Sequence, residues 1–512
     1  MEAPNGRGRA VRIERAVKAA MAVIRARSRA GTTDSFDVAR LTAGLSLLAE
    51  ATPILEITMA STCCVRENSP TAASDFSAYN LPMDPAHRTV RAVRAALADG
   101  VVQPSVLAEL ALARSCQNAG LNTYLWQDST WTLAEAARVE AMPRGVDGQF
   151  GNGRGALWGL PISVKDCFDL AGAPTSCGVQ FYRDLNGNAA QDSWLVERLR
   201  AVGAVITGKT HLHPLAYGIT GENPEFGDCL QPRDSTALTG GSSSGAAASV
   251  QEGSAVIAIG TDTGGSIRAP AALCGLAGYR ASIGRGDWRG GAHLAESFDT
   301  MGCLFRDLAD GPLMAGLFAP QPTARPQDFT RFAIVDDGFL HDCEPEIVDS
   351  LRDTVRDLKA LGLRGARIGT GWWADSFEIF APIQASEAAR IHEGHFDRFE
   401  SSIRERLTWG ASIGADELVA LRQRHEVFRE RIDELLTTHQ LLLLPATPVA
   451  RLAAGADHSK TRARLLRYTT PFSLAGVPVV TIPCAAGGMQ LAAARGADET
   501  LLQLASQLAG AT

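Results

Sequence analysis

Residues 255–266 read Ala-Val-Ile-Ala-Ile-Gly-Thr-Asp-Thr-Gly-Gly-Ser, a short apolar run that breaks into a glycine-rich turn at Gly260. A run this short, rich in β-branched side chains and closed by glycine, predicts a buried strand. Comparable runs lie at Gly159 to Val164, at Ala204 to Thr207, at Leu441 to Leu444 before Pro445, and at Val477 to Ile482 before Pro483. Between them the apolar spacing turns helical. Residues 90 to 141 carry it, as do Ile347, Leu351, Val355 and Leu358, and then Leu418, Leu421, His425, Phe428, Ile432 and Leu435. Strands, helices and glycine loops in alternation predict an α/β fold, and no internal repeat is present.

The chain has 512 residues, 46% hydrophobic and 21% charged, the balance of an ordinary globular protein. Its net charge of -7 and the lack of a basic stripe argue against nucleic acid and for a small-molecule ligand. No apolar run reaches the roughly 18 residues that a membrane-spanning helix needs. Ten cysteines without CxxC pairs, and an opening unlike a secretory signal, lead us to expect a reduced, cytoplasmic setting. Residues 1–90 differ in composition. Arginines from Arg7 to Arg29, with Ile13, Val17, Met21 and Ile24 at helical spacing, predict a basic amphipathic helix, and Asn68 to His87 reads as a linker. The expected organisation is an N-terminal helical extension over 1–90 and one larger domain over 91–512.

Two serine-bearing glycine loops stand close together: Gly240-Gly241-Ser242-Ser243-Ser244-Gly245, and Gly264-Gly265-Ser266-Ile267-Arg268. Glycine lets a substrate carbonyl approach backbone N–H groups that stabilise a developing oxyanion, which is what attack by a serine requires. A lone Gly/Ser loop is more often a linker or turn, and one before a helix can be a phosphate site. Neither a Walker sequence nor a GxGxxG between strand and helix is present. Residues 241–245 satisfy GxSxG with Ser243 as nucleophile, but polar Arg233 to Thr236 precedes them where an elbow needs a hydrophobic strand. A base is offered by Lys165, at the end of the apolar run Gly159-Leu-Pro-Ile-Ser-Val164. Burial lowers a lysine pKa and makes the neutral amine available as a proton acceptor. Only five of the 49 basic residues are lysines, a hint that Lys165 does what arginine cannot. The competing reading pairs Lys165 with Asp166.

Lys165 in GLPISVKD, GGSSSG at 240–245 and GTDTGGSIRAPAALCGLAGYR at 260–280 together resemble the amidase signature family of serine amidohydrolases. Gly208-Lys209-Thr210, Leu444-Pro-Ala-Thr-Pro448 and Thr470-Pro-Phe-Ser-Leu-Ala-Gly-Val-Pro478 extend the resemblance over roughly residues 91–510. It implies a mixed central β-sheet covered by helices on both sides. It also implies a catalytic set of lysine, cis-bonded serine and nucleophilic serine, the last 24 positions after the second. Ser242 and Ser266 are 24 apart, which assigns Lys165 as base, Ser242 as relay and Ser266 as nucleophile. The amides of Thr263, Gly264, Gly265 and Ser266 would form the oxyanion hole. Ser243 and Arg268 are candidate substrate contacts; for Arg268 two readings stand, a hold on a substrate carboxylate and a tie of the loop to Asp262, and the tie is the preferred one.

The implied activity is hydrolysis of a small carboxylic amide through an acyl-enzyme, with no metal or cofactor and with a homodimer as the assembly considered. The alternatives are an amide-forming acyltransferase and a glutaminase-type amidotransferase subunit. Retention of all three catalytic positions argues against a silent scaffold. Two departures from the family pattern stand out: Ser244 where glycine is common, and His211-Leu-His-Pro214 in place of an asparagine-containing stretch. The pairs His211/His213 and His392/His395 lack the companions of a metal site. Cys274 reads as a small buried hydrophobe, and Trp372-Trp373 as pocket lining or packing. The residues shaping the acyl pocket are expected between Ala309 and Gln440.

Overall fold

The computed structural model describes residues 88–142, 155–318 and 328–509. The basic helix and linker expected before residue 88 lie outside the described residues. Thirteen strands are described: β1 Tyr124–Trp126, β2 Pro161–Lys165, β3 Val205–Thr210, β4 Leu230–Gln231, β5 Asp234–Leu238, β6 Ile257–Asp262, β7 Ala277–Arg280, β8 Thr300–Phe305, β9 Arg331–Val335, β10 Arg364–Ile368, β11 Leu441–Pro445, β12 Val479–Pro483 and β13 Gly488–Ala493. Eleven form one mixed sheet in the order β1-β3-β2-β6-β8-β7-β12-β13-β11-β9-β10, while β4 and β5 pair separately. The expected α/β class, with a mixed sheet flanked by helices, is what the chain adopts.

Three neighbouring strands position the site. β2 runs parallel to β3 on one side and to β6 on the other, with Val164 level with both Lys209 and Ile259. Every residue of these three strands is buried, which explains the apolar residues that open each of them, while the polar residues gather toward their carboxyl ends. Their carboxyl ends therefore bring Lys165, Thr210 and Asp262 together, the edge of a parallel sheet where ligands bind in α/β folds. Side chains alternate along a strand, so Ser163 and Lys165 share one face. On that face Ser163 Oγ meets Ser249 Oγ at 2.8 Å, on the helix Ser244–Glu252.

That helix is buried at all nine positions, and its small side chains let it lie close against the sheet. Gly245 marks the tightest approach. A Cβ there would stand 2.1 Å from the Thr123 carbonyl oxygen and 2.5 Å from the His211 nitrogen, both backbone atoms. Overpacking of this kind costs about 1–3 kcal/mol. Gly245→Ala is expected to lower the denaturation midpoint accordingly, whereas Gly120→Ala, with open space around it, should stay within about 0.5 kcal/mol. Equal midpoints in urea for the two variants would show that the helix is not seated so tightly.

The two amphipathic helices are present as Pro345–Ala360, burying Ile347, Leu351 and Leu358, and Ala415–His439, burying Leu421, Phe428 and Ile432. Trp373 is buried edge-on against Phe339 and Phe472, and Trp372 packs on Phe428 beneath the Arg431 guanidinium, so both tryptophans serve packing. No helix among the described residues is long and apolar enough to cross a membrane. Cys167, Cys177, Cys229, Cys274, Cys303, Cys343 and Cys484 are free thiols.

Candidate active site

Lys165 is fully buried, and its Nζ lies 2.8 Å from Ser242 Oγ and 2.7 Å from Thr261 Oγ1. Burial pushes its pKa down from the usual lysine value, outweighing the pull of neighbours that include Cys167, Asp299 and Asp262. The competing pairing with Asp166 is not made. Asp166 Oδ1 instead sits 2.7 Å from Nζ of Lys209, one strand over, and its Oδ2 accepts from the Ser176 amide and hydroxyl. Two buried lysines on adjacent strands thus differ in their partners. Lys209 is held by a carboxylate, and Lys165 is left among hydroxyls.

The peptide bond between Gly241 and Ser242 is cis. Its loop is pinned by backbone bonds from Gly241 N–H to Ile219, from His213 N–H to Ser242, and from Ser243 N–H to the carbonyl of Ser266. The last bond joins the two glycine loops directly. Beyond β6 the chain turns sharply, with Gly265 at φ +120° and its missing Cβ occupied by Thr469. Asp262 organises this turn by accepting from the amides of Gly265 (2.8 Å), Ile267 (3.1 Å) and Arg268 (3.3 Å). Burial alone would raise the Asp262 pKa, but the guanidiniums of Arg268 and Arg280 prevail and hold it well below the carboxylate range.

The contacts of Arg268 decide between its two readings. All five of its N–H groups are taken: two by Asp262, and the others by Thr469 O, Gln490 Oε1 and Ser473 Oγ. Its role is the tie to Asp262, and no donor is left for a substrate carboxylate. The buried Ser243 hydroxyl is likewise engaged, bridged to the Thr261 carbonyl (3.1 Å) and amide (3.4 Å). Neither residue lines the cleft described below.

The two departures in the motifs turn out to be one feature. His211 Nδ1 lies 2.7 Å from Ser244 Oγ, and Nε2 lies 2.9 Å from the Gly227 carbonyl. Burial pushes the His211 pKa down to about 4, so the ring is neutral. Nε2–H must donate to the carbonyl, which leaves Nδ1 to accept from Ser244. His392 is also neutral, its pKa pushed down by burial to about 4, and packs beside Tyr182 with Nδ1 2.7 Å from the phenol oxygen. Cys274 is buried at the Thr239 carbonyl. No cluster of three or more potential metal ligands occurs among the described residues.

Ser266, 4% exposed, opens on a cleft of about 270 Å³, mouth included. Thr263 and Gly264 form its floor with Ser266. Ile219, Leu294 and Leu466 give it apolar walls, and Gln384 and Arg462 add polar groups. One wall, Ala216 to Ile219, follows two successive non-glycine residues in the left-handed region, Leu215 (φ 55°) and Ala216 (φ 57°). Strain of this kind costs about 1–3 kcal/mol and concentrates at functional sites. Of the expected pocket stretch, Gln384 alone among the described residues lines the cleft. Tyr217, Arg462 and Leu466 come from outside it, and no motif marked them.

A buried lysine and two joined serine loops at the carboxyl edge of a mixed sheet define a protein of the amidase class. Comparison agrees: the family model described as Amidase matches residues 109–502. The chain is 28% identical over 465 residues to indoleacetamide hydrolase of Pseudomonas savastanoi, covering 82% of this chain and 96% of that one. It is 30% identical over 445 residues to a glutamyl-tRNA(Gln) amidotransferase subunit of Chloroflexus aurantiacus (strain ATCC 29366 / DSM 635 / J-10-fl), covering 78% and 90%. A crystal structure of an amidase superposes with a TM-score of 0.73 at 28% identity, covering 82% and 99%. The chain belongs to the amidase signature family, whose members are hydrolases acting on C–N bonds.

Proposed function

We propose that residues 91–512 form a catalytic domain that hydrolyses a small carboxylic amide through an acyl-enzyme on Ser266. The observation that carries this reading is the Lys165–Ser242 contact of 2.8 Å, made by a fully buried lysine with no carboxylate partner among the described residues. In the resting state Lys165 is the neutral base. It takes a proton from Ser242, Ser242 takes one from Ser266, and Ser266 Oγ attacks the carbonyl carbon. The negative charge on the carbonyl oxygen is met by the amides of Thr263, Gly264 and Ser266, which have no acceptor among the described residues. Gly265 supplies the turn instead, since its amide is committed to Asp262. As the tetrahedral intermediate collapses, the relayed proton passes to the departing nitrogen and the amine leaves. Water, deprotonated through the same relay, then attacks the ester carbonyl, Ser266 recovers its proton, and the acid is released.

The similarity to an amidotransferase component supports a second reading, in which the ammonia released is handed to a partner protein. A screen of primary amides, esters and carbamates with the purified chain, read by released ammonia, amine or alcohol, separates them. The leading reading expects amide turnover by the chain alone. Glutamine turnover that appears only with a co-purified partner would favour the second, and turnover of esters without any amide would contradict the first.

A further inference from the structure

Many of the described arginines are ion-paired, and the most deeply buried, Arg268 and Arg280, share the Asp262 carboxylate. Arg462 is different. It lines the same cleft as Ser266, its Nε is buried without an acceptor, and no carboxylate among the described residues lies within ion-pair distance of it. Arg406 lies 4.4 Å from the centre of the Tyr217 ring, bonded to the Tyr217 carbonyl and to Ser402 but to no acid among the described residues. The two guanidiniums repel each other, and burial pulls both below the ordinary arginine range. Gln384, 7% exposed, also faces the cleft with a carboxamide that makes no hydrogen bond to the described residues. The remaining walls, Ile219, Leu294 and Leu466, are apolar.

An uncompensated guanidinium in a partly desolvated cleft is costly unless a ligand neutralises it, and its planar fork fits a carboxylate through two parallel bonds. We propose that Arg462 is the specificity-determining residue of this site and binds a carboxylate carried by the substrate, with Gln384 donating a further hydrogen bond. The substrate class is then a short amide bearing an anionic carboxylate, taken into the cleft that Ser266 and Arg462 both line. This rests on the reading of Ser266 as the amide-cleaving centre.

The test compares succinamate and glutaramate with the neutral amides butyramide and valeramide, in the wild type, Arg462→Met and Arg462→Lys. A charge-assisted contact predicts that Arg462→Met lowers kcat/KM for the anionic amides roughly 10- to 100-fold more than for the neutral pair, mainly through KM. Arg462→Lys should recover part of the loss. Equal losses on anionic and neutral amides, or no preference for the anionic pair in the wild type, would overturn the proposal. Calorimetric titration with succinate separates its failure from failure of the amidase reading. Binding to the wild type but not to a folded Arg462→Met variant upholds the carboxylate site even if no amide is cleaved. No binding to the wild type overturns it.

Discussion

Replacement of Ser266 by alanine is expected to lower kcat on any amide the protein cleaves by at least about 10⁴-fold, with little change in stability. The alanine removes the atom that forms the bond to the acyl carbon, and the remaining groups only position water. The side chain makes no hydrogen bond that holds the turn, because Asp262 and Arg268 do that through other atoms. Thermal unfolding of the variant should therefore match the wild type while turnover disappears. A Ser266→Ala protein that kept even a tenth of the activity would move the nucleophile elsewhere, with Ser243 the first alternative by sequence.

The second large effect concerns Lys165. Loss of a general base costs roughly 10²- to 10⁴-fold, and Lys165→Arg should lose as much as Lys165→Ala because a guanidinium does not give up its proton at accessible pH. The sign of the pH dependence follows from the reactive form. Only the neutral amine accepts a proton, so kcat/KM should fall as pH drops through the Lys165 pKa and level off above it. Burial lowers that pKa, which places the midpoint below the lysine value of 10.5. Since kcat/KM reports the free enzyme, the profile should be read from that ratio in the wild type and in both variants. An acidic limb that survives unchanged in the residual activity of Lys165→Ala would assign the titration to another group.

The parts of this architecture that were legible in the sequence are those where composition follows directly from burial. β2, β6, β11 and β12 were readable because strands covered on both faces become short apolar runs. β10 was not, since its Arg-Gly-Ala-Arg-Ile sequence lies partly exposed at the sheet edge. β8 and β7 went unread because glycine and threonine interrupt them, although both are fully buried. At the site, Lys165 and the two loops could be read from their residue types and spacing. What spacing cannot convey is whether a polar group is already satisfied. Ser243 looked available and is bonded to the Thr261 backbone, while Arg462, in a stretch of the helix Ser459–Ala475 that no motif marks, keeps a buried Nε without an acceptor. The pairing of His211 with Ser244 was hidden for the same reason, because two separate departures at 33 residues' distance acquire meaning only in contact.

The central claim is that Ser266 becomes the acyl-carrying residue, activated through Ser242 by Lys165. Treatment with a fluorophosphonate probe followed by peptide mass mapping tests it most directly. The expected result is a single stoichiometric adduct on the peptide containing Ser266, absent from Ser266→Ala and formed far more slowly in Lys165→Ala. An adduct on Ser243, or unhindered labelling without Lys165, would contradict it.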